Sequence, residues 1–201
     1  MHPPLPADYH RPAMTHTPVV IAVLGAESTG KTALAQALAA RLAAQTSLRV
    51  AWVPELLREW CDEHGRTPQA DEQAGIARAQ QARIAAAGRF NDVLVCDTTA
   101  LMTAVYSQLI FGDESLHAYA VEQQRSIDWN LLMALDIPWV ADGLQRDGPQ
   151  VREPVDRAIR RLLSDHQLPW SLVSGQGAAR VDSALRAVTP LLQRAGSLQV
   201  R

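Results

Sequence analysis

Residues 19–32 read V-V-I-A-V-L-G-A-E-S-T-G-K-T. The first six are apolar, mostly β-branched and uninterrupted, which predicts a strand over Val19–Leu24 buried on both faces. The next eight match G-x-x-x-x-G-K-[ST], and each fixed residue has a physical job. Gly25 and Gly30 permit dihedrals and a close backbone approach that a Cβ would forbid. The intervening amides, across Glu27, Ser28 and Thr29, then turn inward as a nest for phosphate oxygens at the positive end of the following helix. Lys31 is placed to reach the outer phosphates and the Thr32 hydroxyl to ligate Mg²⁺. From Lys31 to about Ala44 the chain is rich in Ala and Leu without a breaker, so strand, loop and helix come in the order this phosphate loop needs. The stretch predicts ATP and Mg²⁺ as ligands.

The rest of the composition sharpens that reading. Lys31 is the chain's one lysine against 18 arginines. A lysine kept at this position points to chemistry that Arg cannot supply, since an ammonium is a compact point charge and a guanidinium a planar fork. The chain has 201 residues, 47% apolar and 20% charged, and a net charge of −2. These values suit one domain with a single core and give no electrostatic footprint for nucleic acid. No apolar run is long enough to span a bilayer. Residues 1–18 have five prolines and lack signal or transit character, so they read as a disordered lead-in before a domain over 19–196, with 197–201 as a tail. Cys61 and Cys96 offer no disulfide framework or metal spacing, consistent with a cytoplasmic protein. Nothing in the sequence sets the oligomeric state.

Outward from the loop, short apolar runs alternate with helical patterns. Further strands are predicted at Arg49–Val53, Asp92–Asp97, Leu131–Leu135 and Trp170–Val173. Helices are predicted at Leu56–Glu63, Asp71–Ala87, after a Thr98 or Thr99 cap, at Glu114–Ile127, from Pro154 to His166, and at Ala178–Gln193. The helix after Thr99 carries Leu101, Met102, Val105, Tyr106 and Leu109 on one side. Alternation of this kind implies parallel pairing through right-handed crossovers. The expected fold class is α/β: a three-layer α/β/α P-loop NTPase fold with a five-stranded parallel sheet and a lid segment at about 136–154.

Ligands of such sheets bind beyond the carboxyl ends of the strands. There Asp97 ends a strand as the carboxylate partner that Mg²⁺ requires, and it can also cap the next helix. After strand two, P-E-L-L-R-E-W places Glu55, Arg58 and Glu59 at the cleft, where a carboxylate can accept the proton of a substrate hydroxyl. The alternative for these three is a surface ion-pair cluster. Residues 136–154 have the make-up of a lid, with Gly143 and Gly148 as hinges and Arg146 and Arg152 able to reach a transferring phosphoryl group. Ser174–Arg180 reads as a turn that wraps adenine or as a generic strand-to-helix turn. Trp52, Trp139 and Trp170 at strand edges read as core packing.

G-A-E-S-T-G-K-T, P-E-L-L-R-E, V-C-D-T, Y-S-Q-L-I-F-G, D-I-P-W-V-A-D-G-L-Q-R-D-G and the G-x4-R of Gly175–Arg180 occur in a characteristic order. Together, over about residues 19–190, they resemble the ribosylnicotinamide kinase domain of NadR-like proteins, a branch of small P-loop ATPases. The resemblance implies ATP-Mg²⁺-dependent phosphorylation of the 5′-hydroxyl of nicotinamide riboside. It implies Lys31, Glu55, Asp97, Arg146 and Arg152 as catalytic, and residues 25 and 27–32 as the nucleotide loop. It further implies Glu55, Arg58, Asp97 and Asp142 at the riboside, and Thr32 and Asp97 at the metal. Thr99 stands where an aspartate is expected after Asp97-Thr98. Eighteen residues ahead of the first strand are too few for the adenylyltransferase domain that often precedes this kinase, so the chain is not expected to make NAD. The competing functions are a stand-alone ATPase serving a partner and a non-catalytic ATP binder.

Overall fold

A computed structural model describes residues 17–140 and 148–194. The element order is β1 (Val19–Leu24), α1 (Lys31–Gln45), β2 (Val50–Val53), α2 (Leu56–His64), α3 (Gln73–Gly88), β3 (Val93–Asp97), α4 (Ala100–Phe111), α5 (His117–Gln124), β4 (Trp129–Met133), α6 (Arg152–Asp165), β5 (Trp170–Val173) and α7 (Gly177–Arg194). The five strands pair in parallel in the order β2-β3-β1-β4-β5, so the central strand is the one that leads into the phosphate loop.

The pleat of β1 divides the core. Val20, Ala22 and Leu24 face one layer with residues of α3, α4, α5 and α6. Ile21 and Val23 face the other with Leu34, Leu38 and Leu42 of α1 and Ala184, Val188 and Leu192 of α7. Both faces are covered, which is why the strand run is continuously apolar instead of alternating. The three-layer α/β/α expectation holds, and the loops at the carboxyl ends of the strands converge on one rim.

Several boundaries shift for identifiable reasons. β4 begins at Trp129, two residues before the predicted Leu131. Asp128 brings it into register by donating its amide to Val20 O at 2.9 Å and accepting from the Val20 amide on its carboxylate at 2.7 Å. The helix expected over Glu114–Ile127 contracts to His117–Gln124, because Asp113 turns the chain by accepting from the Ser115 amide and hydroxyl. α3 is preceded by a 3₁₀ turn, Ala70–Glu72, closed by a reciprocal capping box between Gln69 and Glu72. α6 starts at Arg152, after a 3₁₀ turn at Pro149–Val151, so Pro154 sits within its first turn instead of opening it. α4 is buried on nearly every side from Ala100 to Ser107, not on one stripe, and its last turn exposes Leu109, Ile110 and Phe111.

Candidate active site

The phosphate loop is shaped by its own side chains. Gly25 has φ +155°, and a Cβ there would lie 2.8 Å from Met133 Cβ, so the loop floor lies directly on β4. Gly30, at φ +78°, is the residue before α1 and turns the chain into the helix. Thr29 is fully buried and donates its hydroxyl to Ala26 O at 2.8 Å, bracing the loop from inside. Lys31 arches back over it, with Nζ donating to the same carbonyl at 3.0 Å. The Ser28 hydroxyl accepts from the Val140 amide at 2.8 Å. With the Thr29 hydroxyl proton committed to Ala26 O, anion recognition falls to the loop amides, the Lys31 ammonium and the Ser28 hydroxyl, which accepts from Val140 and keeps its own proton to donate.

Thr32 and Asp97 meet as expected, the hydroxyl donating to Oδ2 at 2.5 Å. Asp97 is 1% exposed, and its Oδ1 is buried with no hydrogen-bond partner. A hydroxyl and a carboxylate with a spare oxygen are the hard donors Mg²⁺ prefers, so the pair fits that ion. Burial raises the Asp97 pKa above its ordinary value, and Thr32, Lys31 and Arg58 act against that rise. Among the described residues, no cluster of three or more His, Cys, Asp or Glu forms a separate metal centre.

Immediately after Asp97, Thr98 takes φ +66°, a left-handed conformation uncommon for a β-branched residue. Its amide donates to Val23 O at 3.1 Å, which fastens the turn to β1. Thr99 then caps α4, its oxygen accepting from the Leu101 amide at 3.3 Å. The Thr99 hydroxyl donates to Gln124, which donates in turn to Asn130, so the metal-side turn is tied to α5 and β4 through a buried polar chain. Thr99 therefore has a structural partner set at the position where an aspartate was expected.

Glu55 stands at the start of α2, and the Thr98 hydroxyl hydrogen-bonds its carboxylate. Burial pushes its pKa above the usual glutamate range, Asp97 adds to the rise, and Lys31 and Arg58 oppose it. One narrow cavity, of about 30 Å³, is lined by Lys31, Glu55 and Arg58 together with Glu27, Met102, Tyr106, Trp139 and Val140. Two residues there were not foreseen as cavity walls. Trp139 was read as core and Tyr106 as the apolar side of a helix, yet both wall this cavity; the signal available was the position of Trp139 beyond the carboxyl end of β4 and of Tyr106 on the helix that follows Asp97. Glu59 separates from the group, forming a fork with Arg83 at 2.7 and 2.6 Å on the surface.

A second, larger cavity of about 660 Å³ lies on the other side of the loop. Gly30, Ala33, Leu34, Ala37, Ile137 and Pro138 meet Gln176–Val181 there, so the turn after β5 does border a ligand-sized apolar groove. Arg152, expected on a swinging lid, is helical and 8% exposed, with Nη1 donating to Ile137 O at 2.9 Å. Its Nε and Nη2 are buried without hydrogen-bond partners. Asp142, Gly143 and Arg146 lie outside the described residues. The described ends of the expected lid are anchored, residues 136–140 by hydrogen bonds and 149–154 by regular structure.

Two solved structures with a similar fold are those of NadR protein in complex with NR, and of NadR protein in complex with NAD and AMP-PNP. Each superposes with a TM-score of 0.69 at 20% identity, covering 92% of this chain and 52% of the other. The chain thus spans about half the length of those proteins. No curated protein sequence matches it. The profile of one family, described as an AAA domain, matches residues 20–180. With a nucleotide loop, a paired Thr32–Asp97 and that match across most of its length, the chain belongs to the AAA domain family as a P-loop kinase- or ATPase-type domain.

Proposed function

We propose that the protein is an ATP-dependent small-molecule kinase that phosphorylates the 5′-hydroxyl of nicotinamide riboside. The observation that carries this reading is the pairing of two cavities across one phosphate loop. The apolar groove beside Gly30 and Gln176–Val181 suits an adenine base, and the opposite cavity joins Lys31, Glu55 and Arg58 to two aromatic walls. Tyr106 and Trp139 suit a planar ring, and a cationic pyridinium favours aromatic faces further. The carboxylate and guanidinium beside them suit ribose hydroxyls.

In the proposed reaction the loop amides and Lys31 hold the β- and γ-phosphates of ATP. Thr32 and Asp97 would hold Mg²⁺, which when bound neutralises charge across those phosphates. Glu55, made more basic by burial, accepts the proton of the attacking hydroxyl as the O–P bond forms and the bond to ADP breaks. Arg58 orients the riboside. Arg152 offers two buried N–H donors that lack partners, and a buried cation in that state favours an anionic neighbour. The solved proteins of like fold carry NR in one case and NAD with AMP-PNP in the other, which accords with this pairing of ligands.

The test is product analysis with ATP-Mg²⁺ and a panel of ribosides. Nicotinamide riboside is expected to yield its 5′-mononucleotide. Preferential phosphorylation of another riboside would overturn the substrate assignment, and riboside-independent ATP hydrolysis that survives E55Q would favour the stand-alone ATPase.

A further inference from the structure

Two residues beyond the end of β4, Asp136–Val140 form a strap across the phosphate loop, held at three points. Asp136 accepts from the Gly175 amide on Oδ2 at 2.6 Å and from Arg180 Nη2 on Oδ1. Ile137 O accepts from Arg152, and the Val140 amide donates to Ser28. Ile137 and Pro138 line the groove assigned to the base, Trp139 lines the acceptor cavity, and Val140 borders both. The strap is thus a wall common to the two sites.

Arg180 is the side chain that links this wall to the nucleotide side. It is 5% exposed and donates in three directions: Nη1 to Thr29 O at 2.5 Å, Nε to Gly175 O at 2.6 Å, and Nη2 to Asp136. Burial raises the Asp136 pKa, but the Gly175 amide and the Arg180 guanidinium outweigh that and hold it below its ordinary value, so the pair is ionised. One planar fork therefore fixes the phosphate loop, the turn after β5 and the strap in a single register. An ammonium has no donor set in those fixed directions.

We propose that Arg180 is a positioning residue which, through Asp136, couples nucleotide binding to the acceptor site by setting the strap Asp136–Val140 against the phosphate loop. This rests on the two-cavity reading above. A nucleotide that orders the loop and the groove orders the strap with them, and Trp139 is then presented to the acceptor already in place. By reciprocity the acceptor tightens nucleotide binding by the same factor.

The strap can be read without any acceptor. Acrylamide quenching of Trp139, taken as the difference between the parent and W139F, is expected to fall when a non-hydrolysable ATP analogue with magnesium saturates the protein. R180K and D136N are expected to lose that protection while still binding the analogue and keeping a cooperative melt. D136N leaves the Arg180 bonds to Thr29 and Gly175 in place, so it reports on the strap even where R180K is poorly folded. With nicotinamide riboside as substrate, its KM at saturating ATP should rise about fivefold in both variants, the low end of ordinary coupling between sites, and the KM for ATP at saturating riboside should rise by a similar factor. Protection by the analogue that persists in both variants, or that is missing from the parent, overturns the proposal. Failure of riboside phosphorylation with protection intact would overturn the function reading and leave the coupling standing.

Discussion

Lys31, Glu55 and Gly25 each make a separable prediction. Replacing Glu55 by Gln removes the proton acceptor but keeps the shape of the cavity, so kcat should fall about 100- to 10,000-fold with analogue binding retained. Calorimetric titration beside steady-state kinetics checks both halves. Because the Glu55 pKa is raised from 4.5 and the base must be ionised, the acid limb of kcat/KM should lie above that value, with activity lost as pH falls through it. Lys31→Arg keeps the charge, but a longer planar group does not fit the turn over Ala26 O, and kcat should drop about 100- to 1,000-fold. Gly25→Ala places a Cβ against Met133, with an expected loss of about 1–3 kcal/mol by chemical denaturation. Legibility at this scale followed the chemistry. Gly25, Lys31 and Thr32 could be read from spacing because the phosphate loop prescribes its residue types, and Asp97 from its place as a carboxylate ending an apolar strand. Trp139 and Tyr106 could not, since an aromatic residue at a strand or helix end reads equally as core, and only the three-dimensional rim shows which way it is used.

Elements are placed here by patterns of different strength. β1 and β3 were legible because a strand covered on both faces must be apolar, as β1 is throughout and β3 is up to its last residue, Asp97. β4 was displaced by two residues because its register is set by Asp128 pairing with Val20, a long-range contact that local pattern does not contain. α5 shrank because the Asp113–Ser115 turn outcompeted helical propensity. The junction of β3 with α4 makes its own prediction. Thr99→Ala removes a helix cap and strands Gln124 within a buried chain, at a cost of about 1–3 kcal/mol. Thr99→Ser should restore most of it, as measured by urea unfolding.

At the scale of the whole molecule, the order β2-β3-β1-β4-β5 gathers the loops after all five strands on one rim. That gathering was legible from alternation alone, whereas the division of the rim into two cavities by the strap was not, because it depends on Arg180 meeting Asp136 and Thr29 from far away in the chain. A folded cleft that binds nucleotide must be stabilised by it. At about 100 times Kd, a non-hydrolysable ATP analogue with magnesium should add about 2.7 kcal/mol, read as a rise in Tm, and D97N should lose the part that magnesium adds. The most direct test of the account is the stoichiometry of ADP against phosphorylated riboside when ATP-Mg²⁺ is supplied with and without nicotinamide riboside. Phosphoryl transfer across this cleft predicts negligible ADP alone and one ADP per mononucleotide when the riboside is present. ADP formed at an equal rate in both cases, with free phosphate as the other product, would contradict it.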